Sequence, residues 1–117
     1  NKYQFERAIA YWAYRGYDVG VYIHEPPSNI CDNPWLDGMI ILRKSDSLSH
    51  DTLANTRRRT SAFIMRSAVI QYSPGSQNLS LLNEHELGHA LGFTHVEKEG
   101  HIMHPNYHKM GRNFYIP

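Results

Sequence analysis

The chain has one cysteine, Cys31, among its 117 residues, so no internal disulfide can staple the fold. No apolar run approaches the roughly 18 residues that a membrane-spanning helix needs, and no membrane is expected as a partner. Neither sign of charge is in excess: 12 Lys and Arg stand against 11 Asp and Glu, a net +1. That balance leaves no electrostatic footprint for nucleic acid, so none is expected. Repeats, low-complexity tracts and linker-like stretches are also missing, so residues 1–117 read as one domain with room for one core. No Met precedes Asn1, so a processed or trimmed chain is expected, with any signal peptide or pro-segment out of view. What is present, 41% apolar and 20% charged residues, is the balance of a globular chain.

Hydrophobic periodicity orders the elements. Over Tyr3 to Arg15, Phe5, Ala8, Ile9 and Trp12 recur at helical spacing, and Gly16 suits the left-handed stop; these apolar residues are expected in the core. Val19, Val21 and Ile23 alternate in "YDVGVYIHE", which predicts a strand ended by Pro26 and Pro27. Ser28 to Asp37 is expected as a loop, "GMIILRK" as a second strand, and "SDSLSHDT" as another loop. "TSAFIMRSAVIQY", Thr60 to Tyr72, is long enough for one bent strand or two short ones. A turn at "SPGSQN" then leads, with Asn78 or Ser80 as cap, into a helix over Leu79 to Leu91. The order defines an α+β domain.

The chemistry gathers in "NEHELGHALGFTHVEKEGHIMHPNY", Asn83 to Tyr107, which holds five of the eight histidines. On a helix, His85 and His89 are i and i+4, so both imidazoles leave one face and can reach one metal ion. Glu86 lies beside the first of them, where a carboxylate serves as general base for metal-assisted hydrolysis. Gly92 can reverse the chain at positive φ and return His95 as a third nitrogen. Three protein ligands leave a coordination position open, the catalytic arrangement, whereas structural zinc sites close with four. Chance matches to these five fixed positions arise on the order of once in 10⁴ sequences of this composition, so the spacing carries far more than a bare HExxH.

"HELGHALGFTH" followed by "IMHPNY" resembles the metzincin clan of zinc peptidases and, within it, the matrixins (the matrix metalloproteinase family). Met103 follows His95 at matrixin spacing, with Pro105 and Tyr107 in register; the likeness is strong from about Asn78 to Tyr107. The resemblance implies one catalytic Zn2+ held by His85, His89 and His95, with Glu86 as base and Gly92 as the turn. It implies Met103 as the floor of a Met-turn beneath the metal. Pro105, Asn106 and Tyr107 would wall the pocket for the side chain just past the scissile bond. A peptide or protein substrate would lie antiparallel along an edge strand, for which Ala62 to Arg66 is the candidate. The implied fold is a metzincin-like α+β catalytic domain. It has a small twisted mixed sheet, an N-terminal helix and the active-site helix in an upper part (1–91). A short lower part with the third ligand and Met-turn follows (92–117). A monomeric, secreted or extracellular zinc endopeptidase is expected.

The chain departs from the pattern in three ways. The histidine- and aspartate-rich segments that bind structural zinc and calcium in matrixins have no convincing counterpart. Ten residues follow Tyr107, so the usual C-terminal helix is shortened or missing, and Val96 stands where serine is usual. A minimal relative is implied, which leaves additional structural zinc or calcium open.

Other candidates are weighed against plainer roles. Cys31, between two expected strands, reads as a semi-buried thiol rather than a zinc-blocking latch. His24, His50, His101, His104 and His108 read as surface or hydrogen-bonded residues, with His50 beside Asp51 the one place for a second metal and His104 at the cleft rim. Arg57, Arg58 and Arg59 read as a solvated edge, and Asp32 and Asp37 have no supporting motif. Two alternatives to a general endopeptidase stay open. One is a peptidase restricted to itself or one dedicated partner, and the other is a zinc-binding module without catalysis. A gluzincin is excluded because Glu97 and Glu99 lie too close to His89 to come from a second helix.

Overall fold

The computed structural model describes residues 2–22, 38–46, 48, 52–61 and 64–117. Helix α1 spans Lys2–Tyr14 and buries Phe5, Ala8, Tyr11 and Trp12. Tyr11 takes a core place beside the expected stripe, and Ile9 sits half-buried at its edge. The helix stops at Gly16, whose φ of 94° lets Tyr17 N–H return to the Trp12 carbonyl at 2.9 Å.

Among the described residues three strands form a mixed sheet in the order β1-β3-β2: β1 is Ile40–Lys44, β2 is Ala54–Ser61 and β3 is Ile64–Tyr72. β1 runs parallel to β3, Ile40 opposite Ala68, and β2 runs antiparallel to it, Ala54 opposite Tyr72. A register shift falls between Arg59 and Thr60. Ser67, Ala68, Val69 and Ile70 in β3 are all buried, as expected of a central strand covered on both faces.

Several expectations need correction. Residues 17–22 form no strand, and Ile23 to Glu25 lie outside the described residues. The segment expected as one bent strand or two short ones is the end of β2 followed by β3. Among the described residues β1 and β2 are the two edges of the sheet, and Ile64 to Arg66 open the central strand instead; Ala62 and Phe63 lie outside the described residues. Arg57 to Arg59, read as a solvated edge, are exposed on β2. Also outside are His24, the loop from Ser28 to Asp37 with Cys31, Asp32 and Asp37, and the His50–Asp51 pair.

Helix α2, Leu82–Leu91, starts three residues later than expected. Neither Asn78, which ends a 3₁₀ turn over Ser76–Asn78, nor Ser80 caps it. The chain enters through Leu81 at φ 71°, a left-handed conformation that costs a non-glycine residue about 1 kcal/mol or more. α2 is buried along most of its length, with Leu87 and Ala90 fully enclosed. α1 packs across it: the Trp12 indole N–H donates to the Glu84 carbonyl at 2.8 Å, and its ring stacks on Phe93 at 5.5 Å. After Gly92 no α-helix forms among the described residues; a 3₁₀ turn over Tyr107–Lys109 is the only helical piece there.

Candidate metal centre and cleft

α2 projects His85 and His89 from one face, as the i, i+4 spacing requires, and turns sharply at Gly92, where φ is 108°. The Phe93 N–H bonds back to the Gly88 carbonyl at 2.9 Å, and the reversed chain brings His95 to the other two imidazoles. His89 Nε2 lies 3.2 Å from His85 Nε2 and 3.2 Å from His95 Nε2.

The outer nitrogens fix how these rings face one another. His85 Nδ1 meets the Ile102 carbonyl at 2.8 Å, and His89 Nδ1 meets the Phe93 carbonyl at 2.9 Å. A carbonyl oxygen only accepts, so both Nδ1 atoms carry the proton and both Nε2 atoms present lone pairs. Two lone pairs at 3.2 Å do not make a hydrogen bond with each other. They suit a shared cation, since tetrahedral bonds of about 2.0–2.1 Å place ligand atoms roughly 3.3–3.4 Å apart. Burial pushes His85 down to about 4 and also lowers His89, which keeps both rings in the neutral, ligating form. The donor set therefore fits zinc. Among the described residues no other cluster of three histidine, cysteine or acidic side chains has such spacing.

Glu86 stands beside this cluster with 3% of its surface exposed. Its Oε1 accepts from the Thr56 hydroxyl at 2.7 Å, a contact from β2 across to α2. Burial raises the Glu86 carboxyl to about 7, and the Thr56 hydrogen bond works against that rise.

A cleft of about 770 Å³ opens over these groups. One side is Thr52 to Thr56, at and before the start of β2; the other includes Leu82, Pro105, Asn106 and Tyr107. The Tyr107 hydroxyl is engaged, donating to the Ser80 carbonyl at 2.7 Å. Met103 does not line the cleft. It is fully buried behind α2 against Gly88, where an alanine Cβ would collide with Met103 Sδ and come within 2.9 Å of the Trp12 ring. Its own N–H bonds to His101 Nδ1 at 3.0 Å. His104 is buried rather than on the rim, with Nδ1 accepting from Asn106 N–H at 2.9 Å.

The structure thus gathers His85, Glu86, His89, His95, Pro105, Asn106 and Tyr107 around one cleft, with Gly92 at the turn and Met103 behind it. Sequence reasoning missed Thr56 and its neighbours in β2. No motif marks them, and "ANTRRRTS" lacks the apolar alternation that reveals a strand.

Comparison with known protein families matches residues 21–117 to the matrixin family. The chain belongs to the matrixin family, and with that membership come a zinc metallopeptidase kind of function and substrates that are peptides or proteins. No curated protein and no solved structure gives a significant match.

Proposed function

We propose that the protein is a zinc-dependent endopeptidase in which His85, His89 and His95 hold one catalytic zinc ion and Glu86 is the general base. The observation that carries this reading is the convergence of three imidazole nitrogens, two with lone pairs directed inward, beside a buried carboxylate on an open cleft. When bound, zinc supplies polarisation of the scissile carbonyl and lowers the pKa of an attacking water towards ~7.

The chain's own groups do the rest. Thr56 holds Glu86 Oε1, which leaves Oε2 to take the proton of the attacking water and deliver it to the departing amide nitrogen. Burial raises the Glu86 carboxyl in the metal-free chain, which favours its holding the proton between the two halves of that transfer. Pro105, Asn106 and Tyr107 wall the pocket for the side chain after the cut. The bond from Tyr107 to Ser80 favours a wall over a partner for the reacting oxygen. Met103 packs against α2 at Gly88, between the two helix ligands in the chain, and supports the helix from behind without lining the cleft.

The test is a digest of a diverse peptide mixture by the wild type and Glu86→Gln, with zinc measured in both. Equal zinc and a loss of roughly 10²–10⁴-fold in rate for the variant is expected. Comparable cleavage by both proteins would remove Glu86 from the mechanism. Zinc in both and cleavage in neither would favour a dedicated substrate or a zinc-binding module.

A further inference from the structure

Arginines 57 and 58 serve no purpose in the reading so far, yet they sit on the strand that borders the cleft. β2 is one edge of the sheet, and among the described residues no strand pairs with the side of its backbone that faces away from β3, where a strand can be added. Both residues are exposed.

Position along β2 can be read against α2. Thr56 touches Glu86 and so marks the reacting centre. Two residues further, about 7 Å along a strand, the Arg58 guanidinium lies over the end of α2, its Nη2 at 3.3 Å from where a Gly92 Cβ would stand. The opposite end of α2 is where Tyr107 is anchored, through Ser80. Increasing residue number in β2 therefore runs from the Tyr107 pocket, past Glu86, to the arginines. A peptide paired antiparallel to β2 runs the other way. Its residues after the cut enter the Tyr107 pocket, and those before the cut pass the arginines. Arg58 reaches from the α2 side of the strand and Arg57 from the other, so successive substrate side chains each meet a cation.

We propose that Arg57 and Arg58 are specificity determinants that select peptides carrying Asp or Glu two to four residues before the scissile bond, an inference that rests on the peptidase reading above.

The experiment compares peptides that share one cleavable core and carry two Glu, two Gln or two Lys before the cut. A second set carries the same residues after the cut. With the zinc-loaded protein, kcat/KM should rank Glu over Gln by roughly three- to tenfold at low salt, as expected for exposed charge pairs. The ratio should shrink towards one in 0.5 M NaCl. In the double variant Arg57→Gln/Arg58→Gln the Glu-to-Gln ratio should fall to about one, whereas Arg57→Lys/Arg58→Lys should keep most of it. Because each protein is its own reference, damage to folding or zinc binding does not move the ratio. A wild-type ratio near one, a preference that survives the double Gln variant, or a preference found only after the cut would each overturn the proposal. If no peptide is cleaved, the peptidase reading fails separately. The same ranking is then sought in binding of fluorescently labelled forms of these peptides to zinc-loaded Glu86→Gln, and equal affinity for Glu and Gln peptides would end the proposal there too.

Discussion

Glu86 carries opposite demands in the folded chain. Its carboxyl is raised to about 7 from an ordinary 4.5 by burial. Between those values the folded protein holds a proton that the unfolded chain releases, so stability falls as pH rises through that window. His85 behaves in the reverse sense: at about 4 folded against 6.5 ordinarily, it refuses a proton that the unfolded chain takes, and stability falls as pH drops from 6.5 towards 4. Replacing Glu86 by Gln removes only the first effect. In the metal-free protein, Glu86→Gln should raise stability at pH 8 by on the order of 2–4 kcal/mol and change it little at pH 5. Urea unfolding at the two pH values checks this, and an equal gain at both would show that the buried anion is not what the native state resists.

At the scale of elements, the lower segment, in which a shortened or missing C-terminal helix is expected, is closed by a latch built on one imidazole. His101 is 1% exposed. Its Nδ1 accepts from Met103 N–H at 3.0 Å, and its Nε2–H donates to the Tyr115 carbonyl at 3.0 Å. Around it the Ile102 N–H bonds to the Asn113 carbonyl at 2.8 Å and Asn113 N–H to the Gly100 carbonyl at 3.1 Å, which ties residues 113–115 to the turn holding Met103. Spacing alone offers His101 no more than a surface or hydrogen-bonded role, because neither partner can be inferred from it. His101→Ala would leave the Met103 amide without its acceptor and open a void, a loss of roughly 2–4 kcal/mol. The expected result is a lower melting temperature together with faster hydrogen exchange at Ile102 and Asn113. Unchanged protection at those amides would mean that the segment is held by something other than this ring.

For the whole molecule, a zinc ion held as proposed would add a further tie between α2 and the segment beyond Gly92, which already reaches back through Tyr107 to Ser80 just before the helix. Two of the proposed ligands come from α2 and one from beyond the Gly92 reversal, and His85 also bonds through Nδ1 to Ile102 in the lower segment. Binding to the folded state alone adds about 2.7 kcal/mol at a hundredfold excess over Kd, and each kcal/mol moves the midpoint of a domain this size by roughly 4–8 °C. Chelation should therefore lower the melting temperature by on the order of 10 °C, restored by added zinc. An identical melting curve for protein verified as metal-free would separate the site from the fold.

What the sequence alone determined about this protein is its local chemistry. His85, Glu86 and His89 share one turn of helix, and a glycine three residues on permits His95 to return, so covalent spacing and helical pitch set the cluster. The apolar stripe of α1 was legible for the same reason, since its period lies within one element. Tertiary structure decided what long-range pairing controls. β2 is polar and cationic, and it is a strand only because β3 offers it hydrogen bonds; Thr56 meets Glu86 from thirty residues away. Leu81 takes the left-handed entry to α2 that Asn78 or Ser80 would have made unnecessary, because packing of α2 against α1 and the sheet outweighs the local cost of that conformation. A motif can be read wherever its partners are neighbours in the chain. The wall that faces it, and the charge along that wall, exist only once the chain has folded.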